Sequence, residues 1–89
     1  MKCVVSVLGK DQSGIVAAVA NVMAECKANI DDISQTLLGE LFSMTMLVTL
    51  SPEVADFNTV QEQLTEVGNR LGLQITIQRQ DVFDFMYNI

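Results

Sequence analysis

Residues 41–50 read Leu-Phe-Ser-Met-Thr-Met-Leu-Val-Thr-Leu, and this stretch decides the fold. Every second residue from Phe42 to Leu50 is apolar, and Ser or Thr fills most of the positions between them. Because successive side chains of a strand point to opposite faces, the alternation predicts a strand with one buried face. Gly39-Glu40 just before it predicts a tight turn, and β-branched residues in Asn29–Leu38 predict the first strand of a hairpin.

A strand and a helix are predicted before this hairpin. Cys3–Leu8 is short, apolar and β-branched, which is typical of a strand, and Gly9 would allow a sharp exit from it. Apolar residues then recur at helical spacing and predict a helix over residues 13–27. Asp11 or Ser13 is expected to supply the oxygen that caps this helix.

A second helix and strand are predicted after the hairpin. Apolar residues between Phe57 and Leu71 step by three and four, which predicts an amphipathic helix, and Gly72 fits the position that ends it. Gln74–Gln80 alternates again and predicts the last strand. Apolar residues of the tail have helical spacing and predict a short closing helix; they are Val82, Phe83, Met86 and Ile89.

The predicted order is βαββαβ, which is the ferredoxin-like α+β sandwich in one domain over residues 1–89. Two helices cover one face of a four-stranded antiparallel sheet in this plan. The alternation predicts an open face that is polar and almost uncharged, formed by Ser43, Thr45, Thr49, Thr76, Gln78 and Gln80. This face suits either plain solvation or contact with another protein.

The first strand is apolar on both faces, with Val4 and Leu8 on one and Val5 and Val7 on the other. The aromatic tail adds further apolar surface. A chain of 89 residues also buries a modest share of its surface alone. These features predict burial against a second copy, that is, a homodimer.

The acidic charge balance disfavours two classes of partner. Five basic and eleven acidic residues give a net charge of −6, which disfavours both nucleic acid and anionic membrane surfaces. Because no apolar run approaches the roughly 20 residues of a membrane span, no span is expected. The apolar run after Lys2 stops at Gly9 and a charged loop instead of a cleavage site, so the predicted location is the cytoplasm.

No catalytic or metal site is predicted. The chain has no His, and Cys3 and Cys26 lie far apart in apolar patterns typical of buried free thiols, so no metal or cofactor is expected. Asp31 and Asp32 are adjacent in a strand and should point to opposite faces, which does not suit paired acid–base catalysis. An acylphosphatase-like enzyme is a remote alternative. Its first loop would have to hold a phosphate with a fixed Arg, and Lys10 is the one basic residue in this loop.

The first loop, Gly9-Lys10-Asp11-Gln12-Ser13-Gly14, offers the best binding chemistry. Gly14 would let the backbone approach a ligand at the start of the helix. The N–H groups there favour a carboxylate, and Asp11 could accept a hydrogen bond from an ammonium group. An amino acid carries both a carboxylate and an ammonium group and would suit both partners. A plain strand-to-helix turn explains the same residues without a ligand.

The loop followed by Ile15-Val16, together with Asn29-Ile30, resembles the ACT domain, a small regulatory module of amino-acid metabolism. The resemblance covers the whole chain. Residues 29–36 and the Phe83, Met86 and Ile89 ending are similar to those of short, stand-alone bacterial ACT proteins. The amino-terminal half of glycine cleavage system transcriptional repressors is similar more distantly.

The resemblance implies a non-catalytic regulatory protein that binds a small ligand, often an amino acid, where the first loop of one copy meets strand two of its neighbour. Side-by-side pairing of two sheets is the dimer that it implies. The ligand-binding residues that it implies are Gly9, Asp11, Gly14, Ile15, Asn29 and Ile30. Lys10 and Ser13 of the same loop complete the predicted site. Two residues depart from the family pattern: Lys27 stands where a Gly is frequent, and Ser13 replaces a frequent Pro. An interaction module without a small ligand is the alternative function.

Overall fold

The computed structural model of the protein describes residues 1–87, except for the side chains of Phe83 and of residues 85–87. Along these residues the elements are β1 (Lys2–Lys10), α1 (Ile15–Glu25), β2 (Asn29–Leu38), β3 (Leu41–Thr49), α2 (Phe57–Leu71), β4 (Gln74–Arg79) and α3 (Gln80–Tyr87). The predicted ferredoxin-like fold is confirmed, including the short closing helix. The apolar tail contacts expected of Phe83, Met86 and Ile89 lie outside the described residues.

The four strands form one antiparallel sheet in the order β2-β3-β1-β4, so β2 and β4 are its edges. One face of the sheet packs against α1 and α2. Directly opposed residues of neighbouring strands share a face. The buried alternation of β3 therefore continues across β1 and β4, and its buried members are Cys3, Val5, Val7, Phe42, Met44, Met46, Val48 and Ile77.

The helix α2 begins and ends as its sequence predicts. Asp56 is the N-cap, and its carboxylate accepts a hydrogen bond from the Thr59 N–H at 2.8 Å. Gly72 ends the helix with a left-handed φ of 69°, and its N–H donates to the Gly68 carbonyl. Because a side chain at such a φ is strained, glycine is the residue that this end requires.

The helix α1 is shorter than predicted and starts differently. It spans Ile15–Glu25, and its N-cap is Gly14 with a φ of 87° and no capping hydrogen bond from a side chain. The expectation that Asp11 or Ser13 caps it was therefore wrong. The backbone turns left-handed at Gly14, so the sharp turn into the helix depends on glycine and not on a side-chain oxygen.

The strand β1 is longer than predicted, because it continues through Gly9 to Lys10, where it pairs with Leu41. Gly9 therefore does not mark a sharp exit from the strand, and that expectation was wrong. The reason for glycine is packing: a Cβ at Gly9 would lie 2.6 Å from Cδ2 of Leu73. The turn between α2 and β4 thus comes down onto the end of β1.

The open face of the sheet is less polar than predicted. Register places Val4 beside Leu47 and Leu8 beside Ser43 on this face. Val4 is only 2% exposed, near the sheet end where α3 packs against β1 and β4, whereas Leu8 is 42% exposed. Gln80 does not belong to this face, because β4 stops at Arg79 and Gln80 begins α3.

Candidate functional site

Two hydrogen bonds hold the first loop, residues 9–14, against neighbouring turns. The Asp11 N–H donates to the carbonyl of Glu40 in the turn between β2 and β3, at 2.7 Å. The Gln12 side chain donates through Nε2 to the carbonyl of Leu71, the last residue of α2, at 2.8 Å. The loop is therefore fixed on both sides, although its side chains are exposed.

The predicted binding residues of this loop are arranged around the start of α1. Lys10, Asp11 and Ser13 are exposed, and Ile15 is buried in the core. A Cβ at Gly14 would meet nothing within 4 Å, so the space beside this residue is open. Because no side chain caps the helix, its first N–H groups are free of side-chain partners and can meet a carboxylate.

Asn29 lies in a hydrogen-bonded cluster on the open face of the sheet. The Asp31 carboxylate accepts hydrogen bonds from Asn29 Nδ2 and from Thr49 Oγ1, each at 2.6 Å. These two bonds, that from Thr49 first, lower the pKa of the Asp31 carboxyl, and the nearby Lys2 charge acts in the same direction. Sequence reasoning named Asn29 but missed Thr49, because only the strand register brings Thr49 opposite it.

A β-bulge explains why the prediction for Asp31 and Asp32 was wrong. The pairing of β2 with β3 shifts between Ile30 and Asp32, so Asp31 is the extra residue. Asp31 bonds to Thr49, and Asp32 pairs with Leu47, which places both carboxylates on the open face instead of opposite faces. Both are exposed, and Asp32 accepts a hydrogen bond from the Ile33 N–H.

The two groups of predicted site residues do not meet within one chain. Gly9 pairs with Phe42 at one end of β3, whereas Asn29 pairs with Thr49 at the other end. At about 3.4 Å per residue, these positions are about 24 Å apart along the sheet. The structure therefore brings together the six loop residues of the prediction, and it places Asn29 and Ile30 at the far end.

Other features of the described residues lie away from the loop. A cavity of about 560 Å³ is lined by Met1, Lys2, Arg79, Gln80, Asp81 and Asp84, and it includes no predicted site residue. Within residues 1–87, no group of three His, Cys, Asp or Glu side chains could hold a metal ion. No helix in the same part of the chain is long and apolar enough to cross a membrane.

Comparison with known proteins identifies the family. An ACT domain model matches residues 2–78. The chain belongs to the ACT domain family. A UPF0237 protein of Methanocaldococcus jannaschii is 47% identical to this ACT domain over 88 residues, which are 99% of this chain and 98% of that protein.

Solved structures of two related proteins share the fold of this ACT domain. An ACT domain protein from Streptococcus pneumoniae has 44% identity and a TM-score of 0.80, and the match covers 94% of both chains. A putative glycine cleavage system transcriptional repressor has 25% identity and a TM-score of 0.77 over 86% of this chain and 44% of that one. The resemblance inferred from the sequence is thereby confirmed.

The family departure at the end of α1 has a structural consequence. Lys27 has a φ of 54°, which is the left-handed conformation that glycine adopts without strain. The helix nevertheless closes there, since the N–H groups of Lys27 and Ala28 donate to the carbonyls of Ala24 and Met23. Asn29 therefore begins β2 directly after this turn, as the family pattern predicts.

The acylphosphatase-like alternative is not supported by this ACT domain. Arg79 lies at the Lys2 end of the sheet, where it forms an ion pair with Asp81 at 3.0 Å. Arg70 lines a groove between α1 and α2 together with Glu66. Neither guanidinium belongs to the first loop, which would have to hold a phosphate.

Proposed function

We propose that this ACT domain is a regulatory module that binds an amino acid at the seam between two copies of the chain. ACT domains are typically regulatory and bind small ligands. One observation carries the proposal: the first loop and Asn29-Ile30 lie at opposite ends of one sheet, about 24 Å apart. A second copy can bring them together.

The strand β2 is the surface that suits a second copy. It is an edge strand, and all ten of its residues are exposed. Register with β3 places Ile30, Ile33 and Leu37 on the face that carries the helices, opposite buried partners. Leu37 is nevertheless 58% exposed. Pairing of β2 with β2 of a second copy would cover this apolar row and satisfy the free edge.

The apolar row also favours one register for that pairing. When two antiparallel β2 strands are centred on Gln35, Ile33 of each copy faces Leu37 of the other on the helix side. The same register places Asn29-Ile30 of one copy level with the Gly39-Glu40 turn of the other. Because Glu40 accepts the Asp11 N–H, this brings the partner's Asn29-Ile30 beside the first loop.

The chemistry of the loop suits an amino acid. The uncapped N–H groups at the start of α1 would meet its carboxylate, and the Asp11 carboxylate would accept from its ammonium group. The open space beside Gly14 would admit the ligand, and Ile30 of the partner would provide an apolar wall. Binding would order the loop and the seam, and so change the surface that the dimer presents to a target.

A thermal-shift screen against the twenty amino acids tests ligand binding. A ligand at about a hundred times its Kd stabilises the folded state by about 2.7 kcal/mol, which raises the Tm by several degrees in a domain of this size. Gly14→Leu should abolish the shift. Gly72→Leu is the matched control, because it also places a side chain at a left-handed φ with open space. A shift retained in Gly14→Leu would remove the loop from the site.

A cysteine cross-link tests the seam. Gln35→Cys should form a disulfide-linked dimer on oxidation, since residues directly opposed across the axis have Cα atoms about 4.5–5.5 Å apart. Thr36→Cys is the control, because its two copies would be offset beyond disulfide reach in this register. Efficient cross-linking of Thr36→Cys, or a monomer by light scattering, would contradict the proposed pairing.

A second candidate function is an interaction module without a small ligand. The observation that favours it is a group of exposed leucines near the β2–β3 turn on the open face, namely Leu8, Leu38 and Leu41. Leu38 is 74% exposed. If no amino acid shifts the Tm at millimolar concentration while the cross-link forms, this function is favoured over ligand binding.

A further inference from the structure

The first loop touches the turn between α2 and β4 at two points. Gln12 Nε2 donates to the Leu71 carbonyl at 2.8 Å, a contact between residues that are 59 positions apart in sequence. Beneath it, Gly9 lies so close to Leu73 that a Cβ would reach within 2.6 Å of the leucine side chain. A hydrogen bond and a close packing contact therefore join the same two segments.

The Gln12 contact satisfies a carbonyl that α2 leaves open. The carbonyl groups of the last helical turn have no partner within the helix. At this end, the N–H groups of Gly72 and Leu73 both donate to Gly68. The Leu71 carbonyl accepts from Gln12, and the partial negative charge of the helix end favours a donor there.

We propose that Gln12 is a positioning residue that couples the first loop to the turn between α2 and β4. A change of conformation at the loop is then transmitted to this turn, and by linkage a change at the turn alters the loop. The inference deepens the proposed function and rests on it for its regulatory meaning: the loop would hold the ligand, and the turn leads into the edge strand β4. Gln12 acts through the position of the loop and need not touch the ligand.

A second hydrogen bond, which does not involve Gln12, holds the other side of the loop. The Asp11 N–H bond to the Glu40 carbonyl joins the loop to the β2 side of the sheet, where the seam is proposed. The Gln12 bond joins it to the opposite side. Loss of the Gln12 side chain would leave the backbone hydrogen bond from Asp11 to Glu40 in place, so the loop would still form. Its contacts with the β2–β3 turn and with the α2–β4 turn would both open more readily.

Hydrogen exchange of the ligand-free protein, followed by NMR, measures this coupling. The reporters are the Asp11 amide in the loop and the Leu73 amide in the turn, each of which donates a backbone hydrogen bond. Gln12→Glu keeps the shape of the side chain but turns a carboxylate toward the Leu71 carbonyl, and Gln12→Ala removes the donor. Both variants should exchange about fivefold faster at both reporters, as expected for one lost hydrogen bond.

A rescue and a control complete the experiment. Gln12→Lys can still donate to the Leu71 carbonyl, so its exchange should stay near that of the wild type. Gln61→Glu makes the same charge change on an exposed residue of α2 and should change neither reporter. A result in which Gln12→Glu leaves either amide at the wild-type rate would overturn the proposal. Equal acceleration of core amides such as Val5 would also overturn it, since it would reflect global destabilisation.

Failure of this proposal and failure of the proposed function give different results. The exchange measurement uses no ligand, so it reads the Gln12 coupling whether or not an amino acid binds. The thermal-shift screen of the wild type reads ligand binding whether or not Gln12 couples the two segments. A positive screen with uncoupled reporters rejects only the coupling.

Discussion

Gly9 and Leu73 lie in a contact that leaves no room for a side chain, because a Cβ at Gly9 would come within 2.6 Å of Leu73 Cδ2. Gly9 is a strand residue, and Leu73 follows the glycine that ends α2. The contact determines how closely the α2–β4 turn packs against the end of β1. It also places this turn beside the first loop.

Gly9→Ala should therefore destabilise the fold by overpacking, by about 1–3 kcal/mol. Urea denaturation followed by circular dichroism measures the free energy of unfolding. Leu73→Ala removes the clashing atom, so the double variant should lose less stability than the sum of the two single variants. Strict additivity of the two changes would show that the contact is not the reason for glycine at this position.

The left-handed backbone at Lys27 predicts a gain of stability when this residue is replaced by glycine. Its φ of 54° strains any residue with a Cβ, and Lys27 is exposed, so its side chain has little to lose. Lys27→Gly should stabilise the protein by about 1 kcal/mol. Lys27→Ala keeps the strained Cβ and serves as the control. If both variants change the urea midpoint equally, the effect comes from the lost charge and not from the backbone.

Periodicity predicted most of the fold correctly because burial repeats along each element. The alternation in Leu41–Leu50 and the helical spacing in α2 both report which face is buried, and the register of the sheet follows from those faces. The ends of elements were predicted less well. Gly9 and Gly14 look alike in sequence, yet one is required by packing against Leu73 and the other by a left-handed φ.

The candidate site was only partly predictable, since its geometry depends on contacts between distant segments. The loop and Asn29 were named from the sequence, but the β-bulge at Asp31 was missed, because strict alternation was assumed along β2. The extra residue shifts the alternation by one, so that Ile30 and Ile33, three positions apart, share a face. Gln12 was passed over for a different reason. Its partner is a backbone carbonyl of Leu71, and any residue could supply that group.

The Asp31 cluster predicts a pH dependence of stability. Hydrogen bonds from Thr49 and Asn29 lower the pKa of Asp31 in the folded state, below the unfolded value of about 4. A group with a lowered folded pKa stabilises the protein fully above the unfolded pKa, and this stabilisation is lost as the pH falls through the folded value. Thermal denaturation between pH 6 and pH 2.5 should therefore show a falling Tm.

Asp31→Asn isolates this contribution. The variant should be less stable than the wild type at pH 6, and the difference should shrink as the pH falls below about 4. Asp32→Asn is the matched control, since it lies next to Asp31 on the same exposed face but outside the Thr49 bond. A difference between Asp31→Asn and the wild type that is constant across this pH range would contradict the assignment to Asp31.

The two cysteines predict that thiol labelling will report unfolding. Cys3 and Cys26 are free and buried, at 0% and 3% exposure, and burial raises the pKa of both thiols. Because the reactive form is the thiolate and the reagent must reach the sulfur, both should react slowly with a disulfide reagent such as DTNB. Urea above the unfolding transition should release both thiols rapidly.

The two thiols differ in their position in the fold. Cys26 is the C-cap of α1 and donates through Sγ to the Gln63 side chain at 3.7 Å, whereas Cys3 lies on the central strand β1. Fraying of the end of α1 would expose Cys26 while Cys3 stays buried beneath the helices, so the Cys3→Ser variant, with Cys26 as its single thiol, should label faster in native buffer than Cys26→Ser. Equal rates for the two variants would show that one common opening exposes both thiols.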